Sequence, residues 1–385
     1  MTAATWDEVL GQPAAVQTLR TALVADEVAH AWLLVGPRGV GQQEATRAFA
    51  AALNCPETTT DQGCGTCSTC RRISRGAHPA VADLEPKGAN YLVDDVREEW
   101  MPLATRTLTE GRRRVLRISA AERMNEAAQN AFLKILEEPP PSVVWVLDVE
   151  DEGALLETVV SRCRRLDFVP WGPAELTGRA ATLGVPEEQR PAMVRAALGS
   201  PERLADLADP DIAKARWDHL SLLDRLATGG PGEVIPAAKE RVQWARSRVA
   251  PVKERNAEEL RQLGEAFGVE GSQGWPPGVK ARLTRRFERL ERQEQRRCLD
   301  LLLDDLASYL RDLLAVQAGA GGAELVNLDH EAALRRDADR LPAADAVVGL
   351  QAVVRCREAL DRNGNPELQL ERLLYTLALP LYRAA

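Results

Sequence analysis

The sequence lacks long apolar runs, and none approaches the ~20 residues that a membrane-spanning helix needs. It also lacks an N-terminal charged region followed by a long apolar core, the pattern of a secretory signal peptide. Positive charge is not in excess. The net charge of −8 argues against a free-standing domain that binds nucleic acid strongly, because such domains are usually basic. These absences predict a cytoplasmic protein that contacts no membrane and touches DNA only weakly, within a larger assembly.

The composition predicts an ordinary soluble globular chain. Hydrophobic residues make up 45% of the sequence and charged residues 28%, both typical of packed domains. A chain of 385 residues predicts two or three domains. In a cytoplasmic protein, the seven cysteines predict free thiols or metal ligands rather than disulfides.

A glycine loop between a predicted strand and a predicted helix is the central pattern of the chain. The apolar run Ala31–Val35 precedes the loop from Gly36 to Gly41, and an Ala-rich helix is predicted from Glu44 to Leu53. Strand, glycine loop and helix form the context that a phosphate-binding loop requires. On these residues alone, a plain glycine turn between strand and helix explains the pattern equally well.

The loop departs from the phosphate-binding motif at its two chemical positions. Gly36, Gly39 and Gly41 fit the motif, but Gln42 and Gln43 stand where Lys and then Ser or Thr are required. The Lys supplies positive charge to the β- and γ-phosphates, and the hydroxyl holds Mg²⁺. Glutamine offers neither a charge nor a comparable metal ligand. The sequence therefore predicts an ATPase-like cradle without its chemistry.

A second departure follows the predicted strand at residues 115–118. In a P-loop NTPase, the corresponding strand ends in two acids that handle the metal ion and the attacking water. This chain has Ser119 and Ala120 at those positions, and Glu122 comes two residues too late for the role. Both carboxylates are therefore predicted to be missing.

Four cysteines, Cys55, Cys64, Cys67 and Cys70, follow one another with the spacing Cys-x8-Cys-x2-Cys-x2-Cys. Four thiolates at this density suit a tetrahedral Zn²⁺ ion with Zn–S bonds of about 2.3 Å. Four unpaired thiols in a polar loop are the alternative, which is disfavoured because exposed thiols are reactive. Since four cysteines leave no open coordination position, we predict one structural zinc ion per chain, in a module at residues 55–70.

Strands and helices are predicted to alternate through the first 169 residues. This alternation around a glycine loop predicts an α/β architecture with a doubly wound parallel sheet. The break at Pro170–Pro173 marks a first domain boundary, and short helices with turns follow to about residue 208. From residue 212 onward the pattern is helical, with a long helix or helix pair at 281–316.

The N-terminal half of that long helical stretch is rich in arginine. The arginines alternate with glutamates and are Arg282, Arg285, Arg286, Arg289, Arg292, Arg296 and Arg297. A solvated face of mixed charge is the preferred interpretation, and a patch that contacts phosphates is the alternative.

Several short motifs stand in a fixed order over about residues 5–210. They are Val9-Leu10-Gly11-Gln12, the loop Gly36 to Gly41, the four cysteines, Asn130 to Pro140, Ser161-Arg162-Cys163 and Gly199 to Arg203. Each motif is modest alone, but the set in this order is highly specific. It resembles the bacterial DNA polymerase III clamp-loader family, in particular its delta-prime branch.

The resemblance implies an AAA+ P-loop NTPase-like domain at 1–169, a helical lid domain at 170–210 and an all-α collar domain for oligomerisation at 211–385. In that family the gamma and tau ATPases keep the loop Lys and the acidic pair. They also carry a threonine that senses the γ-phosphate, where this chain has Val149 and Glu150. The joint loss of three ATPase elements favours delta-prime and predicts no intrinsic ATPase activity, although the subunit would belong to a DNA polymerase holoenzyme.

The resemblance also implies that Arg162 is an arginine finger acting in trans. Its guanidinium would stabilise the charge that develops at the γ-phosphate of ATP bound by a neighbouring subunit. A purely local ion pair of Arg162 is the alternative. Cys163 is interpreted as a small packing residue.

The partners implied are gamma/tau and delta in a heteropentamer, the β sliding clamp, and primer-template DNA through the complex, all in the cytoplasmic replisome at the nucleoid. A gamma/tau-like ATPase with an atypical P-loop is the alternative function. A zinc-dependent nucleic-acid-binding protein is a third, disfavoured by the acidic balance and the closed thiolate site.

Overall fold

The computed structural model describes residues 6–57, 61–86, 90–266, 275, 279–319, 321–322 and 325–384. The chain divides into two units, Met1–Asp209 and Pro210–Ala385. The first unit contains a parallel sheet and the second is helical. No helix among the described residues is both long enough and apolar enough to span a membrane.

The centre of the first unit is a five-stranded sheet. Its strands are β1 (Ala31–Val35), β2 (Val81–Leu84), β3 (Arg114–Ile118), β4 (Val143–Val149) and β5 (Arg164–Asp167). They pair in the order β2-β3-β4-β1-β5, and every pairing is parallel. The predicted parallel sheet is therefore confirmed.

Helices cover both faces of this sheet, so its central strands are buried on both sides. In β1, Trp32 and Leu34 pack into one hydrophobic cluster, whereas Leu33 packs into another on the opposite face. The second cluster contains an aromatic group in which Phe132 contacts Trp145 edge to face, with ring centroids 5.0 Å apart. Double-sided burial explains why these strands are continuous apolar runs rather than alternating patterns.

Among its described residues, the first unit has nine α-helices that surround the sheet or follow it. They are α1 (Pro13–Val24), α2 (Gln42–Asn54), α3 (Ser68–Ser74), α4 (Met101–Thr105), α5 (Glu126–Glu137), α6 (Glu157–Val160), α7 (Pro173–Thr182), α8 (Arg190–Ala196) and α9 (Pro201–Leu207). A π-helical segment, Asp95–Trp100, leads directly into α4. Pro102 lies in the first turn of α4, where its missing N–H breaks no α-helical hydrogen bond. The separation of α7–α9 as a lid domain stays a prediction.

The part of the second unit that the structure describes contains eight α-helices. They are α10 (Pro210–Leu220), α11 (Leu222–Gly229), α12 (Val234–Ser247), α13 (Ala250–Ala266), α14 (Val279–Gln317), α15 (Glu331–Arg340), α16 (Ala343–Asp361) and α17 (Pro366–Ala384). The long arginine-containing stretch is one continuous helix of 39 residues rather than a helix pair. Its C-terminal half buries leucines at helical spacing, among them Leu299, Leu306 and Leu313.

A buried polar network ties α10 to the chain that follows α14. Arg216 on α10 forms an ion pair with Asp329, with 2.6 Å between Nη1 and Oδ2, and donates to the side-chain oxygen of Asn327. The fully buried Asp312 accepts hydrogen bonds from the backbone N–H groups of Val326 and Asn327. These bonds compensate the cost of burying charged groups inside the helical core.

Candidate functional site

The glycine loop connects β1 to α2 at the carboxyl end of the sheet. The N–H of Gly36 donates to the carbonyl oxygen of Val149, the last residue of β4, at 2.9 Å. A Cβ atom at Gly36 would lie 2.1 Å from the carbonyl oxygen of Phe168, so only glycine fits. Gly39 has φ +73°, a conformation that side chains rarely adopt. The sequence therefore places glycine where the loop approaches the neighbouring backbone.

Gln42, at the position of the motif lysine, turns its side chain back into the loop. Its Nε2 atom donates to the carbonyl oxygen of Pro37 at 2.6 Å and to that of Gly36 at 3.3 Å. Gln42 is buried, whereas the adjacent Gln43 is half-buried. The amide thus engages the loop's own carbonyl oxygens and presents no positive charge to a phosphate.

A cleft of about 220 Å³, here called the loop cleft, opens between the glycine loop and the ends of β3 and β4. It is lined by Gly36, Arg38, Gly39, Gln42, Gln43, Glu85, Arg117, Ser119, Ala120, Glu122, Asp148, Val149, Glu150 and Glu202. Five carboxylates against two guanidiniums give this lining a formal charge of 2 − 5 = −3. A polyphosphate would meet electrostatic repulsion in such a cleft, which is the opposite of what a nucleotide site provides.

Arg38, in the loop itself, bridges two of these carboxylates. Its Nε atom lies 2.6 Å from Glu150 Oε1, and its Nη2 atom lies 3.0 Å from Glu122 Oε1. Glu150 follows β4 and Glu122 follows β3, so one side chain links the loop to the ends of both strands. Glu122 therefore serves as an ion-pair partner in this chain.

A buried ion pair that the sequence analysis missed lies beneath the cleft. Arg117 on β3 donates from Nε to Asp148 Oδ2 on β4 at 2.7 Å, and its Nη1 lies 3.3 Å from Asp83 Oδ1 on β2. Burial raises the pKa of Asp148 to about 6, although the Arg117 charge opposes this shift. Asp148 and Asp83 together keep the pKa of Arg117 above its ordinary value despite its burial. The available signal was a charged residue inside each of three otherwise apolar strands, Asp83, Arg117 and Asp148.

The end of β3 carries no carboxylate at the two expected positions. The carbonyl oxygen of Ser119 accepts a hydrogen bond from the hydroxyl of Tyr91 at 2.7 Å. Ala120 adopts a left-handed conformation with φ +51°. Neither side chain is a carboxylate, the group that a P-loop NTPase uses at this strand end to hold Mg²⁺ and to polarise the attacking water.

The four cysteines of the predicted metal site lie together between α2 and α3. Their Sγ atoms all lie within 4.8 Å of one another, and those of Cys64 and Cys70 are 4.0 Å apart. A tetrahedron with metal–sulfur bonds of about 2.3 Å separates its sulfur atoms by about 3.8 Å. The donor set and its spacing therefore fit a metal ion, and the four cysteines could hold one.

Backbone N–H groups support this cysteine cluster. Cys64 N donates to Cys55 Sγ, Cys67 N to Cys64 Sγ and Cys70 N to Cys67 Sγ, at 3.3–3.4 Å. The N–H of Cys67 is the largest cause that lowers the pKa of the Cys64 thiol to about 6. Hydrogen bonds to sulfur favour the thiolate form that binds metals. His78 is buried and donates no ligand here: its Nδ1 accepts from the N–H of Ala80 at 3.2 Å.

Arg162 lies on the surface directly after α6 and does not line the loop cleft. Its side chain is 36% exposed. Its Nη2 atom lies 2.9 Å from Glu137 Oε1, and its Nη1 atom donates to the carbonyl oxygen of Thr158 at 2.9 Å. The next residue, Cys163, is half-buried, and burial raises its thiol pKa to about 12. The structure thus brings Gly36, Gly39 and both glutamines to one cleft, whereas neither Gly41 nor Arg162 lines it.

Two family models and a delta-prime relative match this chain. A family model described as the delta subunit of DNA polymerase III matches residues 11–171, and a model of its C-terminal part matches residues 290–378. The delta-prime subunit of Bacillus subtilis DNA polymerase III is 26% identical over 369 residues, which cover 95% of this chain and 96% of that protein. Together, the two family models and this relative support a subunit of the delta-prime type.

Other clamp-loader relatives match shorter regions. The delta-prime subunit of Pseudomonas aeruginosa is 39% identical over 137 residues, 35% of this chain and 42% of that protein. The tau subunit of Bacillus subtilis is 32% identical over 232 residues, 60% of this chain. The chain spans about two fifths of the length of the tau and gamma/tau relatives that it matches. The relatives of this chain therefore include tau and gamma/tau subunits as well as delta-prime subunits.

Proposed function

We propose that this chain is a non-catalytic, delta-prime-type subunit of a clamp loader. It assembles with gamma/tau and delta subunits into a heteropentamer that places the ring-shaped β sliding clamp on primed DNA. The observation that carries the proposal is the end-to-end match to a delta-prime protein combined with a loop cleft that lacks ATPase chemistry. The helical unit, Pro210–Ala385, serves as the oligomerising collar, and α7–α9 correspond to the lid domain.

The loop cleft binds no nucleotide in this proposal. Gln42 supplies no charge, its amide is engaged by loop carbonyls, and the lining carries a formal charge of −3. Arg38 is already paired with Glu122 and Glu150. A gamma/tau-like ATPase remains the second candidate, favoured only by the 32% identity to tau. It requires chemistry for which the described cleft residues offer no lysine and no acidic pair after β3.

Arg162 is the arginine finger that this subunit offers to its neighbour. Arginine has five N–H donors, and the two contacts of Arg162 with described residues, Thr158 and Glu137, leave three of these donors for an incoming ligand. A guanidinium at the surface can reach a phosphate in another subunit, whereas a buried one cannot. Arginine fingers in GTPases contribute about 10³–10⁵ in rate by stabilising charge in the transition state.

The metal ion at the cysteine cluster is a structural zinc ion. Four thiolates saturate a tetrahedral coordination sphere, so no position remains for substrate or water. The ion would tie α3 to the end of α2, since Cys55 follows α2 and Cys70 lies within α3. The zinc ion would therefore stabilise the fold of residues 55–70 and take no part in a reaction.

Reconstitution tests the function directly. The chain should co-purify with gamma/tau and delta, and the isolated chain should hydrolyse no ATP. In the reconstituted complex, Arg162→Ala should reduce clamp-stimulated ATPase activity while the isolated variant keeps its thermal stability. Hydrolysis by the isolated wild-type chain would support the gamma/tau-like alternative, and an unchanged rate with Arg162→Ala would remove this residue from the mechanism.

A further inference from the structure

Arg162 has a carboxylate partner to which the function described above gives no role. Glu137 Oε1 lies 2.9 Å from Nη2 of Arg162, while Nη1 donates to the carbonyl oxygen of Thr158 at 2.9 Å. Both terminal nitrogens are therefore held by acceptors of the same protein. A guanidinium held at both ends has one preferred orientation rather than the many rotamers of a free arginine.

We propose that Glu137 is a positioning residue that orients the guanidinium of Arg162 for a phosphate of the neighbouring subunit. This inference rests on the proposed trans role of Arg162. It adds to that role a second residue, 25 positions earlier in the chain, whose carboxylate touches no substrate. Its effect is to keep the three remaining N–H groups directed outward before the subunits meet.

Both residues stand on firmly held backbone. Glu137 is the last residue of α5, and the preceding residue, Leu136, is buried. The side chain of Asn125 caps the first turn of the same helix. The N–H of Arg162 donates to the carbonyl oxygen of Val159 at 3.2 Å. Val159 itself is fully buried in the core of the first unit. The carboxylate and the guanidinium therefore meet because two anchored segments present them to each other.

The pair is weak enough to orient Arg162 without trapping it. The Glu137 and Arg162 side chains are 52% and 36% exposed, and ion pairs at this exposure are largely screened by water. A phosphate with more than one negative charge can therefore share or displace the carboxylate at small cost. A weak pair can orient the Arg162 guanidinium and still release it to a phosphate. To keep the guanidinium away from a phosphate, the carboxylate would have to be buried and strongly bound.

The test measures ATP hydrolysis by the reconstituted clamp-loader complex with β clamp and primed DNA. Glu137→Ala should lower kcat by about fivefold and leave the KM for ATP unchanged, because an arginine finger acts mainly in the transition state. Glu137→Gln keeps an acceptor oxygen and should lie between wild type and Glu137→Ala. Glu138→Ala is the matched control, since this exposed neighbouring carboxylate makes no contact with Arg162.

A double-mutant cycle separates this inference from the proposed function. In an Arg162→Ala background, Glu137→Ala should cause no further loss, because the residue acts only through Arg162. If Arg162→Ala alone leaves the rate unchanged, the trans role fails, and the positioning role fails with it. If Arg162→Ala lowers the rate but Glu137→Ala leaves it equal to wild type or raises it, only the positioning role is overturned. Thermal unfolding of each isolated variant checks that α5 is intact.

Discussion

The side-chain amide of Gln42 donates a 2.6 Å hydrogen bond to the carbonyl oxygen of Pro37 and so occupies the interior of the glycine loop. In a phosphate-binding loop, the residue at this position points toward the phosphates. Here the glutamine stabilises the loop from within. The loop therefore has the glycines of a phosphate-binding loop, but the side chain after Gly41 bonds the loop backbone instead of a phosphate.

Removing this amide should destabilise the first unit without affecting any nucleotide chemistry. Gln42→Ala deletes the donor that bonds the carbonyl oxygens of Pro37 and Gly36, so we expect a loss of about 1 kcal/mol in the free energy of unfolding. Urea denaturation measures it. Gln43→Ala is the control, because this half-buried side chain has no hydrogen bond to any described residue, and equal losses in both variants would contradict the assigned role.

Nucleotide should not stabilise the isolated chain. A ligand present at a hundred times its dissociation constant stabilises a protein by about 2.7 kcal/mol, which raises the melting temperature by several degrees. Because the loop cleft has a formal charge of −3, millimolar Mg-ATP should leave Tm unchanged in a thermal shift assay. A gamma/tau ATPase under the same conditions provides the positive control. A clear rise in Tm for this chain would show that the cleft still accepts polyphosphates.

The cysteine cluster should account for all zinc bound to the protein. Elemental analysis should find one zinc ion per chain in the wild type and none in a Cys64→Ser, Cys67→Ser double variant, because both residues belong to the same sulfur cluster. Cys163→Ala is the control: this half-buried thiol lies outside the cluster and should leave the zinc content unchanged. Wild-type protein without zinc, or zinc retained by the double variant, would be incompatible with a four-thiolate site.

The ion pair of Asp329 with Arg216 should make the second unit sensitive to acid. Burial raises the pKa of Asp329, but the neighbouring His330 and the ion-paired Arg216 outweigh this effect and hold the pKa below its ordinary value. A carboxyl group whose pKa is lowered by folding stabilises the protein above its unfolded pKa of about 3.9 and loses this contribution as the pH falls further.

Asp329→Asn should therefore cost about 3 kcal/mol of unfolding free energy at pH 7, because it leaves Arg216 buried without its counter-ion. The difference from wild type should shrink progressively below pH 4, as measured by urea denaturation at a series of pH values. Asp339→Asn, an exposed change on α15, should have little effect at any pH. A penalty for Asp329→Asn that stays constant down to pH 2.5 would argue against the ion pair.

Much of the first unit could be predicted because its strands and helix starts have recognisable patterns in consecutive residues. Ala31–Val35 is an uninterrupted apolar run followed by a glycine, and the strand lies at those residues. The helix start at Glu126 follows Asn125, whose side-chain oxygen accepts from the N–H of Ala128 at 2.8 Å. A strand buried on both faces is a continuous apolar run, and a helix start has a capping residue such as Asn125. Both patterns consist of consecutive residues and can therefore be recognised in the sequence.

The contacts that define the sites join residues far apart in the sequence. The buried group of Arg117, Asp148 and Asp83 takes one residue from each of three strands, and only the strand order β2-β3-β4 brings them together. The approach of Glu137 to Arg162 likewise depends on how α5 and α6 pack on one face of the sheet. Nothing in the local pattern of either residue specifies its partner.

The sequence by itself determined the parallel α/β unit, the helical remainder, the cysteine spacing and the loss of the lysine and the acidic pair, because each is written in consecutive or regularly spaced residues. Only the tertiary structure decided three contacts. Gln42 donates a hydrogen bond to the carbonyl oxygen of Pro37 in its own loop. Arg38 forms ion pairs with Glu122 and Glu150, and Arg162 forms one with Glu137. The physical reason is that side-chain direction and ion pairing depend on which segments pack together, and packing is a property of the whole fold.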